Sequence, residues 1–170
     1  MDVMQAIKLK RVVRQFQEKP LSQEAVLAIL NAGRRAQSSK NSQPWRFIAI
    51  QDKAVLQLLS ECGMYAGHLA GAALGIAILT PAPDGNFQTL FDAGQSAAYM
   101  QLAAWELGVG SCLASIYDPE KARQLLGFPE DLHLRIALSF GYPLDESVLT
   151  APPRKGGRQA LSDLVHWDRW

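Results

Sequence analysis

The chain has 170 residues, 48% hydrophobic and 19% charged, which suits one folded domain over residues 1–170 and rules out an intrinsically disordered protein. Lys and Arg number 17 against 16 Asp and Glu; a net charge of +1 lacks the cationic excess of a nucleic-acid-binding domain. Cys62 and Cys112 stand far apart without a CxxC, which excludes a disulfide framework and a four-cysteine zinc site and makes a reduced, cytoplasmic setting the expectation.

Asp2 with Gln5 forms a capping-box pattern for a short first helix whose apolar residues are Val3, Met4 and Ile7. These mix with Lys8, Lys10 and Arg11, so a secretory leader is not expected. Ser22 is a natural N-cap, Leu21 and Val26 match a hydrophobic staple, and Val26, Ile29, Leu30 and Gly33 give helical spacing over 23–35. The polar run from Gln37 to Pro44 reads as a loop, and Trp45 to Gln51 as a strand carrying Phe47, Ile48 and Ile50.

Asp52 caps a third helix, with Val55, Leu58, Leu59 and Cys62 as its expected apolar stripe. From Cys62 to Pro83 there is no Asp, Glu, Lys or Arg, yet glycines, His68 and two prolines interrupt the stretch. A buried helix–strand passage is expected there, not a membrane span, with the strand at Ala73–Leu79 and a turn at Asp84-Gly85-Asn86. A long helix over 87–107 stops at Gly108, and its small residues Ala93, Gly94, Ser96, Ala97 and Ala98 permit close packing. Strand candidates at 109–115 and Leu132–Phe140 flank a helix opened by Asp118-Pro119 and closed by Gly127 and Pro129. A loop with Pro152, Pro153, Gly156 and Gly157 precedes a last short helix near Leu161–Val165. Strands alternating with helices indicate an α/β or α+β fold around a sheet of about four strands.

Several chemistries are excluded by missing parts. Gly108-Val109-Gly110 follows a helix and precedes a strand, the reverse of the dinucleotide fingerprint, and position 113 is Leu. There is no GxxxxGK[ST] and no GxSxG. His68, His133 and His166 lack metal-ligand spacing, so no metal site is expected and structural roles are assigned to His133 and His166.

Charge is partitioned along the chain. Lys8, Lys10, Arg11, Arg14 and Lys19 face only Glu18 near the N-terminus, and Arg154, Lys155 and Arg158 cluster near the C-terminus, while the remainder is net acidic. Two basic clusters at opposite ends suggest one anion site built from both, since guanidinium forks bind phosphate oxygens and neighbouring glycines admit close backbone approach. Alternatively they are two solvated patches. Between them, Ser38-Ser39-Lys40-Asn41-Ser42-Gln43-Pro44-Trp45 crowds hydroxyls and amides before a strand, a loop able to meet a polar ring edge or simply to face water.

The segment Lys10-Arg11-Val12-Val13-Arg14-Gln15-Phe16 and the loop from Ser38 to Phe47 resemble the flavin-binding nitroreductase family. So do Asp92-Ala93-Gly94, Gln101-Leu102-Ala103-Ala104, Leu107-Gly108-Val109-Gly110, Gly141-Tyr142-Pro143 and Arg154-Lys155-Gly156-Gly157-Arg158 leading to Val165-His166-Trp167. The ordered set covers nearly the whole chain. The resemblance implies an α+β three-layer sandwich, a mostly antiparallel central sheet flanked by helices, in an intertwined homodimer with FMN at the subunit interface.

By position it implies that Lys10, Arg11, Val12 and Arg14 serve the flavin, with Arg11 at the phosphate and Arg14 near the N1/O2 edge of the ring. Ser38, Ser39 and Asn41 would come from the other subunit, with Gln43 nearby. Leu113, Ala114 and Ser115 would line the N5 side by their backbone, and Arg158 would close on the phosphate, helped by Lys155 or Arg154. A guanidinium at the N1/O2 edge would stabilise the negative charge that reduction places there. The implied activity is hydride transfer from NAD(P)H through FMN to a nitroaromatic, quinone or enone by a ping-pong mechanism. The alternatives are a non-catalytic flavin- or nucleotide-binding protein and a family offshoot with other flavin chemistry, such as dehalogenation or flavin fragmentation. The chain departs from the family pattern at Val12, where a hydroxyl residue is usual, at Gln37 and at Lys10. It also lacks the helical insertion that covers the site in larger members, which implies an open, shallow acceptor site.

Overall fold

The computed structural model describes residues 2–82, 87–152 and 157–170. Four helices begin where a short polar side chain satisfies backbone N–H groups that would otherwise lack partners. Asp2 accepts from Gln5 N–H at 2.8 Å and opens α1 (Val3–Leu9); Ser22 accepts from Ala25 N–H at 3.2 Å and opens α2 (Gln23–Arg34). Asp52 accepts from both Ala54 and Val55 at the head of α3 (Lys53–Ser60), and Asp118 from Lys121 at the head of α5 (Pro119–Leu126). Gly127, at φ 67°, ends α5 in the left-handed conformation that glycine adopts without steric cost. The long helix α4 spans Phe87–Glu106, and α6 is a single turn at Leu161–Leu164.

The strands β1 (Arg46–Ile50), β2 (Leu74–Pro81), β3 (Gly110–Ser115) and β4 (Leu132–Gly141) form one sheet in the order β1-β2-β4-β3, with every strand pair antiparallel. This architecture is α+β, with β3 as an edge strand. The uncharged stretch after Cys62 becomes a 3₁₀ turn at Gly67–Leu69 followed by β2, and among the described residues no helix is long and apolar enough to cross a membrane.

Alternation along the strands divides the apolar residues between two faces. Leu74, Ile76, Ile78, Leu138 and Phe140 meet Val26 and Ile29 of α2 and Ala97, Met100 and Ala104 of α4. Ile50, Ala77, Ala114, Leu134 and Ala137 meet Leu56 and Leu59 of α3 and Ala122 of α5. Helices on both faces make three layers. Full burial of a Leu, Ile or Met side chain contributes about 1.5–3 kcal/mol, so the two interfaces carry most of the apolar driving force.

Small residues bring α2 and α4 together as the sequence indicates: Ser96 Oγ donates to Gly33 C=O at 3.0 Å, and a side chain at Gly33 would collide with Met100. The α3 stripe is corrected at one position. Leu59 and Cys62 are buried and Val55 packs half-buried against the same cluster as expected, but Leu58 is exposed and Leu56 takes its place in the core. Asp52 starts the helix at Lys53, and Leu56 shares a face with Leu59 at i, i+3 spacing.

Candidate functional site

The stretch between α1 and α2 has no regular secondary structure, yet it is pinned along its length to one side of the sheet. Val12 bridges Ser111 in parallel, and Val13 N–H donates to Ser111 C=O at 3.0 Å. Leu144 N–H donates to Gln15 C=O at 3.0 Å, Phe16 bridges Pro143, and Gln17 N–H donates to Tyr142 C=O at 2.9 Å. Val13 is buried over Gly110, where an added Cβ would lie 2.6 Å from Val13 Cβ. Neighbouring Val12 and Arg14 remain exposed. The pinning therefore fixes the backbone that carries Lys10, Arg11, Val12 and Arg14.

Strand alternation then decides which groups of β3 are free. Antiparallel neighbours exchange backbone hydrogen bonds at every second residue, and Ser111 already turns its carbonyl outward to Val13. Leu113 and Ser115 have the same parity. Their N–H groups point away from β4 and take no backbone partner among the described residues, although the Ser115 carbonyl on that side lies close against Gly63. Ala114 instead turns its peptide groups to β4 and its side chain into the core. Leu113 is 43% exposed beside this edge.

The cations near the edge differ in setting. Lys10 Nζ donates to Gln101 Oε1 at 3.1 Å, and Gln101 Nε2 donates to Ser111 Oγ at 3.3 Å. Burial pulls the Lys10 ammonium below its ordinary pKa, partly opposed by Cys112. Arg11 Nη2 donates to Ala151 C=O at 2.6 Å, which brings the N-terminal cations to the chain just before the C-terminal basic cluster. Arg154 and Lys155 lie outside the described residues, and Arg158 is exposed.

Behind β3 lies a buried polar group that the sequence reading did not assign. His68 Nδ1 and Ser139 Oγ are 2.7 Å apart, and Ser139 Oγ donates to Cys112 C=O at 3.3 Å. His68 Nε2 is buried without a partner among the described residues. Burial first, and then the Arg14 charge, hold His68 below its usual pKa, which favours the neutral ring. Burial also raises the Cys112 thiol, while the charge of Arg14 and a hydrogen bond from it pull the other way. The only sequence signal was the polar character of His68 and Ser139 within apolar runs.

The hydroxyl–amide loop forms a second group. Lys40, Asn41 and Gln43 have φ values of 51°, 55° and 47°, a left-handed run uncommon for residues other than glycine. Such backbone persists only where its surroundings hold it. Here Ser38 Oγ accepts from Gln43 N–H at 2.9 Å, and buried Asp92 of α4 accepts Ser39 N–H on Oδ2 at 2.9 Å. Asn41 Oδ1 accepts from Gln43 Nε2 at 3.2 Å. Asp92 is the anchor that the site reading omitted. Its signal was present, because it is the sole charged residue between Asp84 and Glu106.

The structure docks the segment carrying Lys10, Arg11, Val12 and Arg14 on β3 at Gly110 and Ser111, the strand that continues into Leu113 and Ser115, and separately gathers Ser38, Ser39, Asn41 and Gln43. Cavities beside Val12 and Arg14 and beside Ser38 and Ser39 are lined by different residues. One group offers cations and edge N–H donors, and the other offers hydroxyls and amides. That donor chemistry fits a planar polar ring with an anionic tail.

The family model described as the nitroreductase family matches residues 7–64 and 56–142. A relative from Archaeoglobus fulgidus, provisionally named NADH dehydrogenase/NAD(P)H nitroreductase, is 30% identical over 99% of this chain and 99% of its own length. An NADH dehydrogenase from Thermus thermophilus is 25% identical, with 86% of this chain and 89% of its own covered. An FMN-dependent nitroreductase from Clostridium difficile superposes with a TM-score of 0.82 at 28% identity, covering 99% of this chain and 100% of the other.

Proposed function

Because this chain belongs to the nitroreductase family, whose fold its structure shares, we propose that it is an NAD(P)H-dependent FMN oxidoreductase acting on a nitroaromatic, quinone or enone. The observation that supports this reading is the docking of the 10–14 segment against β3, through Val12 and Val13 on Ser111 and Lys10 on Gln101, with the Arg14 charge felt at Cys112. When bound, FMN would supply the hydride chemistry that links NAD(P)H to the acceptor in a ping-pong cycle.

The chain's own residues bind and orient. Arg11, with Lys155 and Arg158, holds the phosphate, and Lys10 supports the flavin from the Gln101 side. Arg14 stabilises negative charge at the N1/O2 edge. Leu113 and Ser115 would offer the flavin backbone N–H groups that β4 leaves unused, with Ala114 fixing the strand between them. Val12 lies in the same segment but adds no hydroxyl donor.

Ser38, Ser39 and Asn41, with Gln43, come from a second copy of the chain. An intertwined homodimer is supported by apolar surface left bare on one copy: Val3, Met4 and Ile7 of α1, Leu161 and Leu164 of α6, and Trp167 at 83% exposure. The protein then works as a single-domain subunit over residues 1–170 in a reduced cytoplasmic setting, in keeping with free, buried Cys62 and Cys112. The reading predicts that the purified protein takes up FMN, that NADH or NADPH bleaches it anaerobically, and that a quinone restores the colour. Flavin that stays oxidised with both nucleotides favours the non-catalytic alternative, and failure to take up FMN overturns the cofactor.

A further inference from the structure

His68 is a buried titratable side chain that the flavin reading leaves without a task. It sits in the 3₁₀ turn Gly67–Leu69, which packs against α3 and β4, and is 9% exposed. Hydrogen-bond geometry fixes its tautomer. Ser139 Oγ has one proton and donates it to Cys112 C=O at 3.3 Å, so across the 2.7 Å contact it accepts from His68 Nδ1–H. The neutral ring therefore carries its lone pair on Nε2, a buried acceptor with no partner among the described residues. An interior acceptor left unmet is costly. A second proton would turn it into a donor, and the Leu113 backbone favours the protonated ring.

The ring is joined to the strand on which the 10–14 segment docks. Ser139 reaches the peptide of Cys112, which lies between Ser111, where Val13 docks, and Leu113. Arg14 is the charge that acts on His68, and it opposes a second proton. On β3 the titratable neighbour is the Cys112 thiol, which burial keeps protonated. From β4 comes Ser139, and α3 turns Leu56, Leu59 and Ser60 inward while Glu61 pairs with Lys121.

Negative charge arriving beside Arg14 offsets the guanidinium's field at His68. Hydride brings two electrons and one proton, so reduction of the flavin adds one negative charge to the site. We propose that His68 answers that charge: as hydride leaves NAD(P)H, a proton from water binds Nε2, and the cationic ring is held by Ser139 and the Leu113 backbone. No bond in the protein forms or breaks except this N–H. His68 acts through Arg14 and β3 and is a positioning residue. The proposal rests on the flavin reading, which assigns Arg14 to the N1/O2 edge.

The test is a spectroscopic redox titration of the FMN-loaded protein between about pH 5 and 8, the range in which histidine charge changes. For a two-electron couple each proton taken up shifts the equilibrium tenfold per pH unit, or about 30 mV. The wild-type potential should rise as pH falls, by about 30 mV per unit at the alkaline end and about 60 mV toward the acid end. His68→Gln should hold about 30 mV per unit throughout. Nitrogen-15 NMR of the His133→Gln/His166→Gln protein, whose remaining histidine is His68, separates a proton on this ring from one on the flavin. It should show the Nδ1–H tautomer when the flavin is oxidised and a doubly protonated ring when it is reduced at acid pH. A ring with the same protonation in both redox states, an Nε2–H tautomer, or a steep slope that survives His68→Gln overturns the proposal. If FMN binds and is reduced normally in those preparations, the role of His68 alone falls. A wild type that takes up no FMN overturns the flavin reading and this proposal with it.

Discussion

Replacing Arg14 by Ala is expected to slow flavin reduction by NAD(P)H by about a hundredfold and to lower the FMN midpoint potential by roughly 60 mV. A positioned donor facing developing negative charge is typically worth about 2.7–4 kcal/mol, and Arg14 belongs at the lower end because it is exposed in the isolated chain. For a two-electron couple, about 1.4 kcal/mol corresponds to roughly 30 mV, which gives the shift in potential. Burial of Val13 and the pairing of the 12–17 stretch with Ser111, Tyr142 and Leu144 do not depend on the guanidinium, so the fold should survive. Arg14→Lys keeps the charge but loses the planar fork and should fall between the two. Stopped-flow reduction and a spectroscopic redox titration check this; an unchanged potential and rate would remove Arg14 from its assigned place.

The second large effect is expected at Gly110. An added Cβ would lie 2.6 Å from Val13 Cβ and 2.7–2.8 Å from its two methyls, distances that side-chain rotation cannot relieve. Either β3 or the 10–14 segment must shift. Overpacking of this kind costs about 1–3 kcal/mol of stability. The same displacement separates the cations from the edge of β3, so Gly110→Ala should lose FMN affinity by at least about tenfold. Val13→Gly removes the opposing atoms, and the double variant should lose less than the two single variants combined, with a coupling of about 1 kcal/mol. Denaturation midpoints and FMN titrations of all four proteins give the cycle. Strict additivity would show that Val13 and Gly110 do not meet as described.

The fold was largely legible because its punctuation is local. Asp2, Ser22, Asp52 and Asp118 cap helices that begin at the next residue, and Gly127 closes α5 through a conformation few other residues adopt. On α3 the spacing places Val55, Leu59 and Cys62 but exchanges Leu58 for Leu56, because all these positions are apolar and local spacing does not choose between them. The strand order β1-β2-β4-β3 depends on pairings distant in sequence, which local periodicity does not encode.

The site divides in the same way. Cations and loop hydroxyls announce themselves by composition, whereas their supports are long-range contacts. Asp92 holds Ser39, Gln101 holds Lys10, and Val13 needs Gly110 to be bare. The backbone directions of Leu113, Ala114 and Ser115 follow from the register with β4, and that register is visible only once the sheet has formed.

The central claim is that one flavin site takes its cations from one chain and its loop hydroxyls from another. Differently tagged Arg14→Ala and Ser39→Ala/Asn41→Gly chains, co-expressed and purified as mixed dimers, test it directly. In such a dimer one site combines both defects and the other carries neither. Half of the FMN sites should therefore be reduced by NAD(P)H at the wild-type rate, although neither parent protein reduces at that rate. A mixed dimer with no wild-type phase would mean that both residue groups serve the same site from a single chain, contrary to this account.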